Sequence, residues 1–280
     1  MTGIVIKLIL ISLLLQTSSA WSEVYRYKND QGVVSFSDQF TDGATQLTVS
    51  EKPYRYKYQV KRVYDGDTIV LQNGDRVRLL GINTPEIESR FRHGEAGGMT
   101  AKKWLQDKLK QGTVLLEYDQ QKKDKYKRHL AHLFLDSGEY INQSMVRSGL
   151  ATLSIIPPNL RYADVLIKAE KLAELEQIGI WAMDQYQPIS VEKLSSQTPM
   201  SGWHRFLASA HEVVETRSYV KLIVSNNVNI RIPKKNLSLF PELSNYLDKN
   251  IEIRGWASRS KGNFSILVRH PSALIMPSLN

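Results

Sequence analysis

The order in which strand-like and helical runs fall between residues 58 and 187 constrains this chain more than any other feature. Tyr58 to Tyr64, Thr68 to Gln72 and Arg76 to Ile82 are alternating or apolar runs, and Asn73-Gly74-Asp75 forms a hairpin turn between the last two. A helix fits Met99 to Lys110, with Ala101, Trp104, Leu105 and Lys108 on one stripe and Gly112 as its stop. Two further strands fit Val114 to Tyr118 and His129 to Leu135; helices fit Ile141 to Ser148 and Ala163 to Gln177, each followed by a glycine. Five short strands interleaved with three helices predict a mainly β, α+β fold built on a small closed barrel rather than a parallel sheet.

The flanks divide by composition. At the head, Lys7 precedes an apolar run from Leu8 to Leu15, too short for a stable membrane span, and small residues close it at Ser18-Ser19-Ala20. Residues 1–20 are read as a signal peptide, so the mature chain is expected to be exported, periplasmic or secreted, with no stable membrane insertion. Residues 21–50 carry two alternating runs, Val24 to Tyr27 and Val33 to Ser37, about a Gly-bearing turn, and read as an accessory hairpin. Their pattern resembles a small domain of unknown function found at the head of many exported proteins. Pro188, Ser190, Ser195, Ser196, Thr198 and Pro199 mark residues 188–199 as a linker. Strand-like runs at 211–216, 219–224, 228–232, 251–255 and 264–269 then predict a second small β-barrel over 200–280, with Ser258 to Gly262 as a basic loop.

Charge narrows the partners. The 280 residues hold 37 Lys plus Arg against 28 Asp plus Glu, 37 − 28 = +9, which favours a polyanion such as nucleic acid. With no cysteine, disulfides, cysteine zinc sites, iron–sulfur clusters and thiol catalysis are excluded. His129 and His132 stand three apart in a strand pattern, on opposite faces, and so do not make a zinc pair.

The chemistry gathers in the central piece. In Asp65-Gly66-Asp67-Thr68 the glycine permits a tight bend and two carboxylates at i and i+2 project to one side. Arg78 to Glu86 follows: a strand delivering Arg78, a loop of oxygen donors stiffened by Pro85, and a further carboxylate. A hard cation such as Ca²⁺ takes six to eight oxygens. Asp67, the Asn83 amide oxygen, the Thr84 carbonyl and water held by Asp65 or Glu86 supply that chemistry. The run from Lys122 to Arg128 holds five cations and one anion, and its place before an apolar strand lets Arg128 face the same cavity as Arg78. Phosphodiester hydrolysis needs such a set: a carboxylate such as Glu86 to take a proton from water, and a metal with two guanidiniums for charge on the phosphoryl oxygens.

Asp-Gly-Asp-Thr at 65–68, Arg-Leu-Leu at 78–80, Thr-Pro-Glu at 84–86 and Asp-Lys-Tyr-x-Arg at 124–128 resemble, in order, the motifs of the staphylococcal nuclease (thermonuclease) family. The resemblance implies a five-stranded OB-type barrel with three helices over 58–187, Ca²⁺-dependent cleavage of DNA and RNA, and 3′-phosphate products. It also implies that Asp67 and the Thr84 carbonyl ligate the metal directly, with Asp65 in the outer shell. Glu86 is the implied base, Arg78 and Arg128 the phosphate-stabilising pair, and Lys125 and Tyr126 the contacts to a neighbouring phosphate. Asn83 stands where the best-known members place a second metal-binding aspartate, which predicts weaker Ca²⁺ affinity. His129 replaces a glycine, and Leu153 to Pro158 lacks the tyrosines that stack a base. The leading expectation is an exported, monomeric, metal-dependent nuclease with no partner protein. The alternatives are a catalytically lapsed nucleic-acid-binding module and an envelope-associated scaffold.

Overall fold

The computed structural model describes residues 24–28, 34–37, 39–47, 53–88, 93–194 and 202–276. The signal-peptide reading at 1–20 and the turn at 29–32 lie outside the described residues. No helix among the described residues is long and apolar enough to cross a membrane. The chain divides into two units, 1–52 and 53–280.

In the first unit β1 (Val24–Lys28) pairs antiparallel with both β2 (Val34–Ser37) and β3 (Thr45–Leu47), so the expected hairpin gains a third strand. The Tyr25 ring meets Phe40 edge-on, centroids 5.4 Å apart.

The second unit opens with β4 (Arg55–Asp65), β5 (Thr68–Leu71), β6 (Arg76–Leu79) and β7 (Gly81–Asn83). Then come α1 (Gly98–Lys108), β8 (Thr113–Lys123), β9 (His129–Phe134), α2 (Ile141–Arg147), β10 (Thr152–Ser154) and α3 (Ala163–Leu175). A closed barrel forms in the order β4-β5-β6-β9-β8, the OB-type barrel expected from the sequence. Alternation sets its lining: Val77 and Leu79 turn inward with Ile69, Leu71, Val114, Leu116, Ala131 and Leu133, while Leu105 of α1 and Met145 of α2 join the same core. The run expected as one strand from Arg76 to Ile82 is instead broken at Leu80, because Gly81 takes φ +76° and a Cβ there would lie 2.5 Å from Leu166. Past this corner β7 leaves the barrel and pairs with β10, Asn83 opposite Thr152.

The C-terminal part holds β11 (Ile189–Ser190), β12 (His204–Ser209), β13 (Glu212–Glu215), β14 (Tyr219–Ser225), β15 (Val228–Pro233), β16 (Asn250–Gly255), β17 (Ala257–Ser260), β18 (Asn263–Leu267) and β19 (Leu274–Ile275). The second barrel predicted there is not a closed ladder. Two sheets, β11-β12-β16-β19 and β13-β14-β15-β18-β17, enclose Phe206, Leu222, Ile230, Ile253, Phe264 and Ile266. The chain breaks after Gly255, so β16 pairs in one sheet and β17 in the other. The stretch expected as a basic loop, Ser258 to Gly262, begins inside β17. Residues 189–194, within the stretch read as a linker, form β11 and a 3₁₀ turn whose Val191 and Leu194 enter this core; 195–201 lie outside the described residues.

Buried charge joins the two parts. Arg254 donates to Glu170 at 2.8 Å and Glu174 at 2.6 Å on α3, and to Glu252 at 2.6 Å; Arg205 bridges Glu252 and Glu174. Both guanidiniums stand over the Trp181 ring, at 5.5 and 5.2 Å from its centroid. The other Glu170 oxygen accepts the Leu153 amide at 2.8 Å, so the network reaches β10.

His132, 3% exposed, bonds the Tyr140 hydroxyl at 2.7 Å, and burial lowers its imidazole from 6.5 to about 4; Asp119 opposes that shift and Arg161 adds to it. Between these values the unfolded chain binds the extra proton, so stability present above pH 6.5 is lost as pH falls toward 4. Urea unfolding is expected to show the wild type losing about 1.5 kcal/mol more than His132→Phe between pH 6.5 and 5. Equal losses would remove His132 as the source.

Candidate active site

The turn joining β4 to β5 is closed by its own side chains: the Asp67 amide donates to Asp65 Oδ1 at 3.1 Å and Thr68 Oγ1 to Asp67 Oδ1 at 3.2 Å. Asp67 Oδ2 then accepts the Thr84 amide at 3.0 Å, fastening the turn to the loop after β7. Gly66 makes this approach possible. A Cβ at 66 would lie 2.6 Å from Thr84 Oγ1, so close packing, rather than an unusual bend, requires the glycine.

Arg78 leaves β6 toward the same place. Its guanidinium pairs with Asp67 Oδ2 and donates from Nη2 to Asn83 Oδ1 at 3.0 Å. Asn83 Nδ2 in turn donates to the Thr84 carbonyl at 3.1 Å. Burial lowers Arg78 from 12.5 to about 10; Asp65 opposes that shift and Arg128 adds to it. Burial also raises the Asp65 carboxyl above its ordinary 3.8, although Arg78 and Thr68 pull it down.

Arg128 arrives from a loop wound on Asp124, whose Oδ1 accepts the Tyr126 and Arg128 amides at 2.9 Å and whose Oδ2 accepts Arg128 Nε at 2.8 Å. Burial alone would raise the Asp124 carboxyl; the Arg128 hydrogen bonds outweigh it and hold it below 3.8. Lys127 carries the tight point of this loop at φ +65°. Glu86 is fixed through its backbone: its amide donates to Glu95 Oε2 at 2.9 Å and its carbonyl accepts the Glu95 amide at 2.8 Å.

Asp65, Asp67, Arg78, Asn83, Thr84, Glu86, Tyr126 and Arg128 line one cavity of about 390 Å³. Lys125 does not line it; its ammonium sits 4.9 Å from the centroid of the Tyr126 ring. Sequence reasoning missed Arg76, which lines the cavity two residues before Arg78 on the same strand face, and Glu95, which holds Glu86. The i, i+2 spacing could have given the first, whereas nothing local marks the second. His129 and His132 are apart in their bonding, the former on Tyr118 and the latter on Tyr140.

The sequence matches the family described as Staphylococcal nuclease homologue over residues 76–183 and a domain of unknown function, DUF4124, over 11–54. It is 39% identical over 127 residues to Thermonuclease of Staphylococcus intermedius, covering 44% of this chain and 75% of that protein. The chain belongs to the staphylococcal nuclease family. Thermonuclease of Staphylococcus hyicus is 34% identical over 128 residues, again 75% of its length, and SPbeta prophage-derived endonuclease YokF of Bacillus subtilis is 35% identical over 130 residues, 45% of this chain and 44% of that protein. The C-terminal sheets lie beyond the family match, which ends at 183.

The cavity's donor set has the chemistry of a hard-cation site: two carboxylates and two neutral oxygens brought together by the bond between Asp67 and Thr84. Among the described residues no three Asp, Glu or His side chains converge to hold a metal unaided. Burial raises the Asp65 carboxyl by more than Arg78, Thr68 and Arg128 lower it. By these observations the donor set fits a divalent cation, with Arg78 turned off the oxygens that it occupies.

Gly66→Ala is expected to cost about 1–3 kcal/mol of unfolding free energy by driving the turn off Thr84. An unchanged denaturation midpoint would show that Thr84 yields without cost.

Proposed function

We propose that this chain is an exported endonuclease that hydrolyses phosphodiester bonds of DNA or RNA with Ca²⁺. The observation that carries the reading is the single cavity holding Asp65, Asp67, Arg78, Glu86 and Arg128. Asp67, the Thr84 carbonyl and Asn83 Oδ1 would hold the ion, with Asp65 behind them. Bound there, Ca²⁺ would draw the phosphate in and neutralise its charge. Glu86 takes the proton from the attacking water, whose oxygen bonds to phosphorus as the bond to the 5′ oxygen breaks; the leaving 5′ oxygen takes its proton from solvent water. Arg128, held square by Asp124, and Arg78, once turned from Asp67, donate to the phosphoryl oxygens as charge builds on them. Tyr126 and Lys125, beside one another at the mouth, meet the next phosphate.

The mature chain is expected to digest plasmid DNA and RNA with Ca²⁺ and to stop on chelation, with Glu86→Gln lowering kcat about 10²- to 10⁴-fold. Cleavage that survives chelator, or a Glu86→Gln variant of full rate, would overturn the reading. Retained oligonucleotide binding with no cleavage at saturating metal would select the lapsed binding module instead.

Asn83→Asp is expected to tighten Ca²⁺ binding roughly tenfold, because it adds a negative charge and removes the amide donor from the Thr84 carbonyl. Calorimetric titration of both proteins checks this; equal affinities count against Asn83 as a ligand.

A further inference from the structure

Away from this cavity, the sheet of β14, β15 and β18 turns Val220, Leu222, Ile230, Ile232, Phe264 and Ile266 into the C-terminal core. By alternation up to the irregularity after Ile223, its other face carries Tyr219, Lys221, Asn229, Arg231 and Ser265, together with the apolar Ile223 and Leu267. Three cations meet there. Lys221 stands directly opposite Arg231 in the β14–β15 ladder. The Arg231 carbonyl accepts the Val268 amide at 2.9 Å, placing Arg269 beside the same strand. Like charges in this position repel and lower stability when nothing intervenes.

None of the ion pairs among the described residues brings a carboxylate to Lys221, Arg231 or Arg269. Of the glutamates on the neighbouring strand β13, Glu215 is taken by Lys234, and Glu212, on the Lys221 face one step diagonally along the ladder, forms no ion pair with Lys221 among the described residues. Arg231 instead lies 5.4 Å from the centroid of the Tyr219 ring and donates to Ser258 Oγ at 3.3 Å, while its Nε is buried with no partner. Burial lowers Arg269 below 12.5; Tyr219 opposes that shift and Arg231 adds to it, as expected of two guanidiniums sharing one face. Half-buried cations with no carboxylate partner are the complement of an oxyanion.

We propose that this face is a second phosphate-binding surface, on which Lys221, Arg231 and Arg269 hold the backbone of single-stranded nucleic acid and Tyr219 offers a ring to a base. Nucleic acid is favoured because an aromatic ring interleaves the cations, a pairing that serves alternating phosphates and bases. Place favours it too. Arg269 and Leu267 also line a cleft whose other wall is Leu153 to Ile156, the segment containing the end of β10, and β10 pairs with the strand that carries Asn83. The surface thus borders the β7–β10 pair that carries Asn83, and the choice of ligand rests on the nuclease reading.

The test uses the whole mature chain in chelator, so that binding is read without cleavage and a failed nuclease reading leaves the measurement intact. Fluorescence anisotropy of a labelled 20-nucleotide single strand is followed across salt concentrations. The triple variant Lys221→Gln, Arg231→Gln, Arg269→Gln is expected to bind at least tenfold more weakly at low salt, with a salt slope reduced by about 2, near 0.7 for each phosphate that is no longer neutralised. Tyr219→Ala is expected to lose affinity with little change of slope. Arg231→Gln alone, expected to lower the slope by about 0.7, serves if the triple variant does not fold, and an unchanged slope there overturns the proposal. An equal loss in Lys103→Gln, Lys171→Gln, Lys249→Gln, which removes three exposed charges elsewhere, would overturn the proposal. So would unchanged oligonucleotide binding in the triple variant, including the case where that variant instead loses binding to anionic phospholipid vesicles.

Discussion

One contact sets the rest of the candidate site: the Asp65–Asp67 turn closing on Thr84. The Asp67 carboxylate accepts the Thr84 amide and Gly66 presents no side chain to Thr84, so two segments 17 residues apart in sequence become one wall. Without the Asp67 acceptor the Thr84 amide loses the partner that ties the two segments together. The barrel exists on apolar alternation alone, but alternation says nothing about where its loops meet. The polar contact decides that.

The wall is braced from behind. β7 is not in the barrel ladder; it pairs with β10, whose Leu153 amide is held by Glu170, which in turn is held by Arg254 of the C-terminal sheet. Glu170 is nearly fully buried, and burial raises its carboxyl although Arg254 and the Leu153 amide oppose that rise. A buried carboxylate with one partner removed is strongly destabilising, often by about 3–5 kcal/mol. The C-terminal sheets are therefore part of what holds β10, and through it Asn83, in place. This integral packing also explains why residues 189–194 belong to a strand and turn rather than to free chain.

Sequence legibility followed the range of the forces involved. Period-two alternation is local, so the five barrel strands, the three helices and half of the outer strands could be read directly. Corners were not: Gly81 breaks an apolar run for a reason seated on α3, the Leu166 side chain. β12 escaped because Arg205 interrupts its apolar pattern, and that charge is satisfied only by Glu252 and Glu174 far along the chain. β17 escaped because Ser258, Arg259 and Ser260 look like loop and pair only through β18. In the site, residues whose chemistry is intrinsic were legible, namely Asp65, Asp67, Arg78, Glu86 and Arg128. Glu95 was not, since its role consists of accepting one backbone amide.

Asn83 shows how a single neutral side chain redistributes the site's charge. Its amide oxygen accepts Arg78 and its nitrogen covers the Thr84 carbonyl, so both would-be ligand oxygens are satisfied within the protein. An aspartate could do the first and not the second: it would leave the Thr84 carbonyl bare and add a charge beside Asp67. The shifts of Arg78 and Asp65 in this structure express the same condition from two sides, since burial strips solvent from a cation and an anion that only partly compensate each other. An amide at 83 thus quiets the cavity at the expense of attraction for a cation. In this structure the Arg78 guanidinium is engaged by Asp67, so under the proposed reading its departure would be part of what phosphate binding must drive.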